Sequence, residues 1–207
     1  MTESDVLAEI ATDRPMLIRE DETRKFGERI APLGVDVHHV ASLPEASAVI
    51  RGLAAELVVD SILVSSELLA AYPALAETLT HGGTRVEVAA GPDESRDAPL
   101  GLALARRTLL ETGSLLMSER SLADRSVALL SLTCVVITPT EGMMQRLEDT
   151  AGWLRSEALR PGGAYSTFVT GPSRTADIEM SLTVGVQGPA RMIVIFVDEM
   201  PLPMAEA

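Results

Sequence analysis

Lysine is nearly absent: Lys25 is the only one in 207 residues. Schiff-base and P-loop chemistry therefore have almost no candidate. Cysteine is just as scarce. Cys134 stands alone, which excludes an internal disulfide, a cysteine-rich zinc site and a self-contained iron–sulfur cluster. It lies in the apolar run 132–137 and reads as a buried core thiol. Aromatic residues make up 3% of the chain, too few for base-stacking platforms. The three histidines, His38, His39 and His81, form no metal-ligating pattern, and no cofactor is expected. Positive charge is in deficit, with a net charge of −13, which argues against binding a phosphate backbone. No apolar run reaches the ~18 residues that a membrane span needs. The acidic start, Met1–Asp5, lacks a cationic region followed by an apolar one, so it is not read as a secretory signal. A soluble, cytoplasmic protein is expected.

What is present suffices for one sizeable core. Hydrophobic residues make up 46% of a chain of single-domain length. Residues 1–18 read as an arm or short helix, ended by Asp13-Arg14-Pro15. Residues 19–199 read as one α/β domain and 200–207 as a flexible tail, frayed from Pro201. Phe26, Ile30 and Leu33 share a helical face, and Gly34 stops that helix. Val35–Val40 alternates like a strand. Ser42-Leu43-Pro44-Glu45 is a capping box that opens a helix to about Glu56.

Leu57–Val59 and Ser61–Val64 read as strand, Ser65 or Ser66 as the next helix cap, and Thr84–Ala89 as a further strand. Arg120–Arg125 is charged and reads as exposed. Residues 131–137 read as a buried strand. Thr138-Pro139-Thr140-Glu141 reads as a second capping box, starting a helix with Met144, Leu147, Ala151 and Leu154 on one face. Strands alternating with helices predict a single-domain, doubly wound, mainly parallel sheet with helices on both faces.

The densest polar chemistry lies in Gly171-Pro172-Ser173-Arg174-Thr175-Ala176-Asp177-Ile178-Glu179. Two hydroxyls, a guanidinium and two carboxylates crowd behind an apolar strand. Arg174 offers a fork for a carboxylate or phosphate; Ser173, Thr175 and nearby N–H groups suit an anion nest. Asp177 can orient Arg174 or exchange a proton. The competing reading is an internal network pinning two strands. A second candidate is Glu111-Thr112-Gly113-Ser114. Gly113 permits close approach, Thr112 and Ser114 donate hydrogen bonds, and Glu111 suits a base, nucleophile or orienting carboxylate. A glycine-assisted bend explains the same residues. Gln187 and Gly188 lie in a third tight segment, which a hairpin-type turn would also explain. The fingerprints GxGxxG, Walker A and GxSxG are all absent.

At these residues the chain resembles the lactate-utilisation protein C family, the LUD-domain proteins. The family's Gly-Pro-Ser-Arg-Thr-Ala-Asp-Ile-Glu signature matches 171–179 throughout. A following Gly-Val-His-Gly-Pro matches at Gly185, Val186, Gly188 and Pro189, and the final strand ends at Asp198. The Glu-Thr-Gly segment matches 111–114. Two departures stand out. Gln187 replaces the usual His, and Arg106-Arg107-Thr108-Leu109-Leu110 replaces a run of small residues.

The resemblance spans about residues 20–199. It implies a fold similar to sugar-phosphate isomerases, CoA transferases and formyltetrahydrofolate cyclo-ligase. It also implies a part in oxidising L-lactate to pyruvate beside two iron–sulfur protein partners. This chain would be the cluster-free component, binding a small carboxylate or phosphate between the two loops. An isomerase or acyl/CoA-transfer activity of its own, with Glu111 as nucleophile or base, is the alternative. A non-catalytic interaction subunit is the third. Self-association is compatible with all three.

Overall fold

The computed structural model describes residues 16–81, 83–160, 164–176, 182–185 and 188–203. Helix α1 (Met16–Ile30) ends in a 3-10 turn, Ala31–Leu33, and Gly34 takes the left-handed φ of 77° that closes it. The division expected between residues 18 and 19 therefore falls inside a helix. β1 (Val35–Val40) follows, then α2 (Leu43–Glu56). The Ser42 hydroxyl caps no backbone N–H; instead the Glu45 carboxylate accepts from the Ser42 hydroxyl at 3.3 Å and from Ala41 N–H, one residue before the cap, at 3.1 Å, so the expected capping box does not form.

β2 (Ser61–Val64) is shorter than the run 57–64 expected from composition. Leu57 caps α2, and Val58 turns through φ 55° and is exposed, so the apolar residues 57–59 are a helix exit. Next come α3 (Ser66–Ala71), α4 (Ala74–Thr80), β3 (Arg85–Val88) and α5 (Pro92–Ser95). β4 (Leu100–Leu104) is buried throughout.

β1, β2, β3, β4, β7 (Thr133–Pro139) and β12 (Arg191–Val197) form one six-stranded sheet in the order β1-β12-β7-β4-β2-β3. Every pairing in it is parallel. Its central strands are continuous apolar runs because both faces are covered. α2, α3 and α4 cover one face, with Ile50, Leu68 and Leu75 against Val135 and Ile195. On the other face, Phe26 and Ile30 of α1 and Ala128 of α6 (Leu122–Leu130) pack against Val136, Val194 and Phe196. The fold is the α/β architecture that the alternation predicts.

That second face also carries a small sheet that the periodicity does not reveal. Its order is β8-β5-β6-β9, from β5 (Arg107–Leu109), β6 (Ser114–Glu119), β8 (Met143–Met144) and β9 (Tyr165–Val169). Leu115, Met117 and Met143 send its apolar side into the core beneath. This sheet explains a correction. The continuous helix expected after Thr138 is broken, because Met143 pairs with Thr108 and Met144 with Leu109. Only α7 (Thr150–Ala158) is α-helical there, and Leu147 is exposed rather than on its buried face. Trp153 packs on Leu109 and Leu116.

β10 (Arg174–Ala176) and β11 (Leu182–Val184) form an antiparallel pair. The tail expected to fray is held at its start. Met200 is fully buried, the Tyr72 hydroxyl donates to Pro201 O at 2.6 Å, and Leu202 N–H donates to Glu141 at 2.8 Å. Its apolar Met and Leu side chains give it a reason to pack. Among the described residues, no helix is long and apolar enough to cross a membrane.

Candidate functional site

The two motif loops meet. β6 and β9 are antiparallel neighbours with Leu115 opposite Val169, which sets Ser114 beside Thr170. The Ser114 and Thr170 hydroxyls are 2.7 Å apart, and Thr112 lies 2.6 Å from Ser114, giving a row of three hydroxyls. Both turns are shaped by glycines with positive φ, 69° at Gly113 and 82° at Gly171. A Cβ on Gly113 would sit 2.3 Å from the Ile30 Cγ2, and one on Gly171 would sit 3.2 Å from the Leu33 Cβ. Each turn therefore presses on the exit of α1.

The carboxylate and the guanidinium take different partners. Glu111 is exposed and its Oε2 accepts from Leu147 N–H at 2.7 Å. Arg174 is exposed and its Nη2 donates to Pro32 O at 3.4 Å. No ion pair joins these two side chains. Ser173 N–H donates to Pro189 O, and Ser173 O accepts from Gly185 N–H. Gly188 lies against Ser173 and the carbonyl of Leu129. Thr175 belongs to β10 by its backbone. Asp177 and Gln187 lie outside the described residues.

These loops lie at the amino ends of the parallel strands. Gly171 packs on Leu33 and Val35, ahead of and at the start of β1; Pro189 and Ala190 precede β12; and Ala190 N–H bonds Leu132 O, just before β7. Open parallel sheets place their ligands at the other end, in the crevice beyond the carboxyl ends where the strand order reverses. Here the reversal lies between β2 and β4, since β3 flanks one side of β2 and β4 the other.

No sequence motif singles out that carboxyl end. Ser65 caps α3 through Leu68 N–H at 3.3 Å, as expected. The next residues form a polar cluster. Asp124 lies in the charged segment that reads as exposed, yet it is 2% exposed. It accepts from the backbone N–H of Ser66, from the Ser66 hydroxyl at 2.9 Å and from the Ser121 hydroxyl at 2.6 Å. Those bonds meet the cost of burying a carboxylate. Glu67 pairs with Arg106 and accepts from Arg120 N–H at 2.6 Å. Burial, reinforced by the Glu67 and Asp124 carboxylates, pushes the Glu119 carboxyl up to about 8. The one sequence signal for this cluster is the Arg106-Arg107 pair in an otherwise apolar run. Among the described residues, no group of three or more His, Cys, Asp and Glu could hold a metal ion.

The chain is similar to "Lactate utilization protein C" of Geobacillus thermodenitrificans, 33% identical over 110 residues, covering 52% of this chain and 45% of that protein. It is 36% identical over 107 residues to "Lactate utilization protein C 1" of Bacillus mycoides, covering 51% and 46%. It thus spans a little under half the length of these relatives. A crystal structure of a DUF162 family protein from Deinococcus radiodurans shares the fold, with a TM-score of 0.61 and 23% identity, covering 86% of this chain and 98% of that one. The LUD domain profile matches residues 23–197, and with the motif loops and the sheet that carries them this chain belongs to the LUD domain family.

Proposed function

We propose that this chain is the cluster-free component of a cytoplasmic system that oxidises L-lactate to pyruvate, and that it binds a small anionic ligand. The observation that carries the proposal is the LUD domain match over residues 23–197, shared with relatives named for lactate utilisation. A cluster requires several thiolates. Cys134 is the only thiol, it is fully buried, and burial pushes it up to about 12. The electron-carrying clusters therefore sit on iron–sulfur partner proteins. The test is lactate-dependent reduction of an artificial electron acceptor by those partners, with and without this chain. The rate is expected to rise when the chain is added; an unchanged rate overturns the role.

The separate partners of Glu111 and Arg174 favour a bracing or docking role for the motif loops over a pocket shared between them. They also weigh against an isomerase or acyl-transfer activity centred on Glu111. That chemistry needs a carboxylate in a partly apolar pocket, and Glu111 is exposed. Turnover of a sugar phosphate or CoA ester that is lost in Glu111→Gln would reinstate it.

A further inference from the structure

The six-stranded sheet ends in an open edge at β3. Among the described residues β3 pairs with β2 alone. Arg85 and Ala89 donate their N–H groups to Asp60 O and Val64 O on the β2 side. Backbone groups alternate sides along a strand, so Val86 and Val88 turn their N–H and C=O groups to the open side. Such an edge is a template for another strand.

Proteins commonly blunt such an edge with lysine, proline, a bulge or charge. β3 holds no lysine or proline, and its register with β2 runs unbroken from Arg85 opposite Ser61 to Val88 opposite Val64. Its two charges, Arg85 and Glu87, are of opposite sign and two residues apart, so they share one face of the sheet. That spacing is self-complementary. When a second β3 runs antiparallel with Val86 opposite Val86, Arg85 of each copy lies opposite Glu87 of the other.

The backbone favours the same register. The outward N–H and C=O of Val86 exchange with those of the second Val86, forming a hydrogen-bonded pair. The Arg85 and Glu87 pairs then fall at the positions between, where opposed side chains come closest. On the other face Val86, packed on the core, and Val88, 50% exposed, extend an apolar row across the junction. The charges are available for pairing. Glu87 is exposed, and no ion pair among the described residues takes it. Arg85 is 66% exposed and gives Asp60 a bond of 3.1 Å from Nη2, one of the five donors of a guanidinium. The opposite edge, β1, has no such match. It holds no lysine or arginine, and its one carboxylate, Asp36, pairs with Arg191.

We infer that β3 is a dimerisation edge, at which a second copy of this chain continues the sheet across a two-fold axis through the Val86 pair. The two-fold makes one surface serve both copies. β3 is four residues long, against roughly 20–30 residues a side in a stable interface, so the dimer is weak and reversible.

Sedimentation equilibrium of the full chain tests it, at concentrations up to about 1 mM and in about 0.15 M salt to screen the net charge of −13. The parent is expected to show a concentration-dependent equilibrium of monomer and dimer. Glu87→Arg sets arginine against arginine at both charged positions, and Arg85→Glu sets carboxylate against carboxylate. Each is expected to weaken the dimer at least about tenfold. Mixing these two variants restores both Arg–Glu pairs, so a mixed dimer is expected that neither forms alone. Val86→Pro removes an N–H that points out of the sheet, where an edge strand accepts proline, and is expected to dissociate the dimer. Thermal unfolding reports whether each variant folds. A parent that stays monomeric throughout leaves the edge to a different chain and overturns the inference. A dimer that survives both Glu87→Arg and Val86→Pro places the contact elsewhere and overturns it as well. Failure of the two charge variants to pair when mixed overturns the register.

Discussion

The hydroxyl of Ser114 lies 2.7 Å from that of Thr170, and this bond ties together the two loops that the sequence marks most strongly. Ser114 is 4% exposed, so the bond is shielded from water on at least one side. Its neighbour Gly113 is under the tighter constraint. A Cβ there would meet the Ile30 Cγ2 at 2.3 Å, on a backbone with φ 69°. Ser114→Ala is expected to cost about 1 kcal/mol, the net worth of one hydrogen bond. Gly113→Ala combines left-handed strain with overpacking and is expected to cost about 3 kcal/mol. Urea unfolding of both variants checks the order. A larger loss for Ser114→Ala would mean that the hydroxyl row, not the close approach to α1, locks the loop.

The sheet and the carboxyl-end cluster differ in how well the sequence reveals them. β1 is legible to the residue, because Val35–Val40 alternates and Gly34 stops the helix before it. β7 is legible as an unbroken apolar run, since a strand covered on both faces carries no alternation. The small sheet is not legible. β5 spans three residues and β8 two, too short for a period to register, and β8 pairs with a strand distant in sequence. Asp124 shows the limit for the site. Two of its three donors belong to Ser66, 58 residues earlier, and no local pattern announces a carboxylate to which a distant backbone N–H will donate.

The Arg106–Glu67 pair should behave as a buried ion pair. Their side chains are 9% and 17% exposed, and Arg106 also bonds Ser118 O. Arg106→Leu would leave Glu67 with only the Arg120 N–H to satisfy it. A loss of about 3 kcal/mol is expected, since breaking such a pair strands a charge. Adding Glu67→Leu should recover a large part of that loss. Guanidinium unfolding of the two variants measures both changes. No recovery in the double variant would show that the Ser118 bond, rather than the charge pair, carries the stability.

Cys134 sits at 0% exposure in β7, and burial pushes its thiol up to about 12. Reaction with a thiol reagent needs the thiolate and access to it. The native chain at pH 8 should therefore label no faster than it opens. Added urea should accelerate labelling as the unfolded population grows. Rapid, stoichiometric labelling of the native chain would mean that β7 is not the closed centre of the sheet.

Glu119 makes stability fall as pH rises. Burial, with Glu67 and Asp124 adding like charge, raises its carboxyl from 4.5 to about 8 in the folded chain. Between those values the unfolded chain has released the proton while the folded chain keeps it. The folded state then binds more protons, so raising the pH favours unfolding. This contribution is fully present below about 4.5 and is lost progressively up to about 8, with a slope of at most about 1.4 kcal/mol per pH unit. Glu119→Gln keeps a neutral side chain of the same shape and removes the titration. Its stability relative to the parent should climb from pH 5 to pH 8 and level off beyond. Unfolding midpoints for the two chains across that range give the difference directly. A difference that stays flat would mean that Glu119 is ionised in the folded chain, held by Arg106 and Arg125, the two cations that favour its charged form.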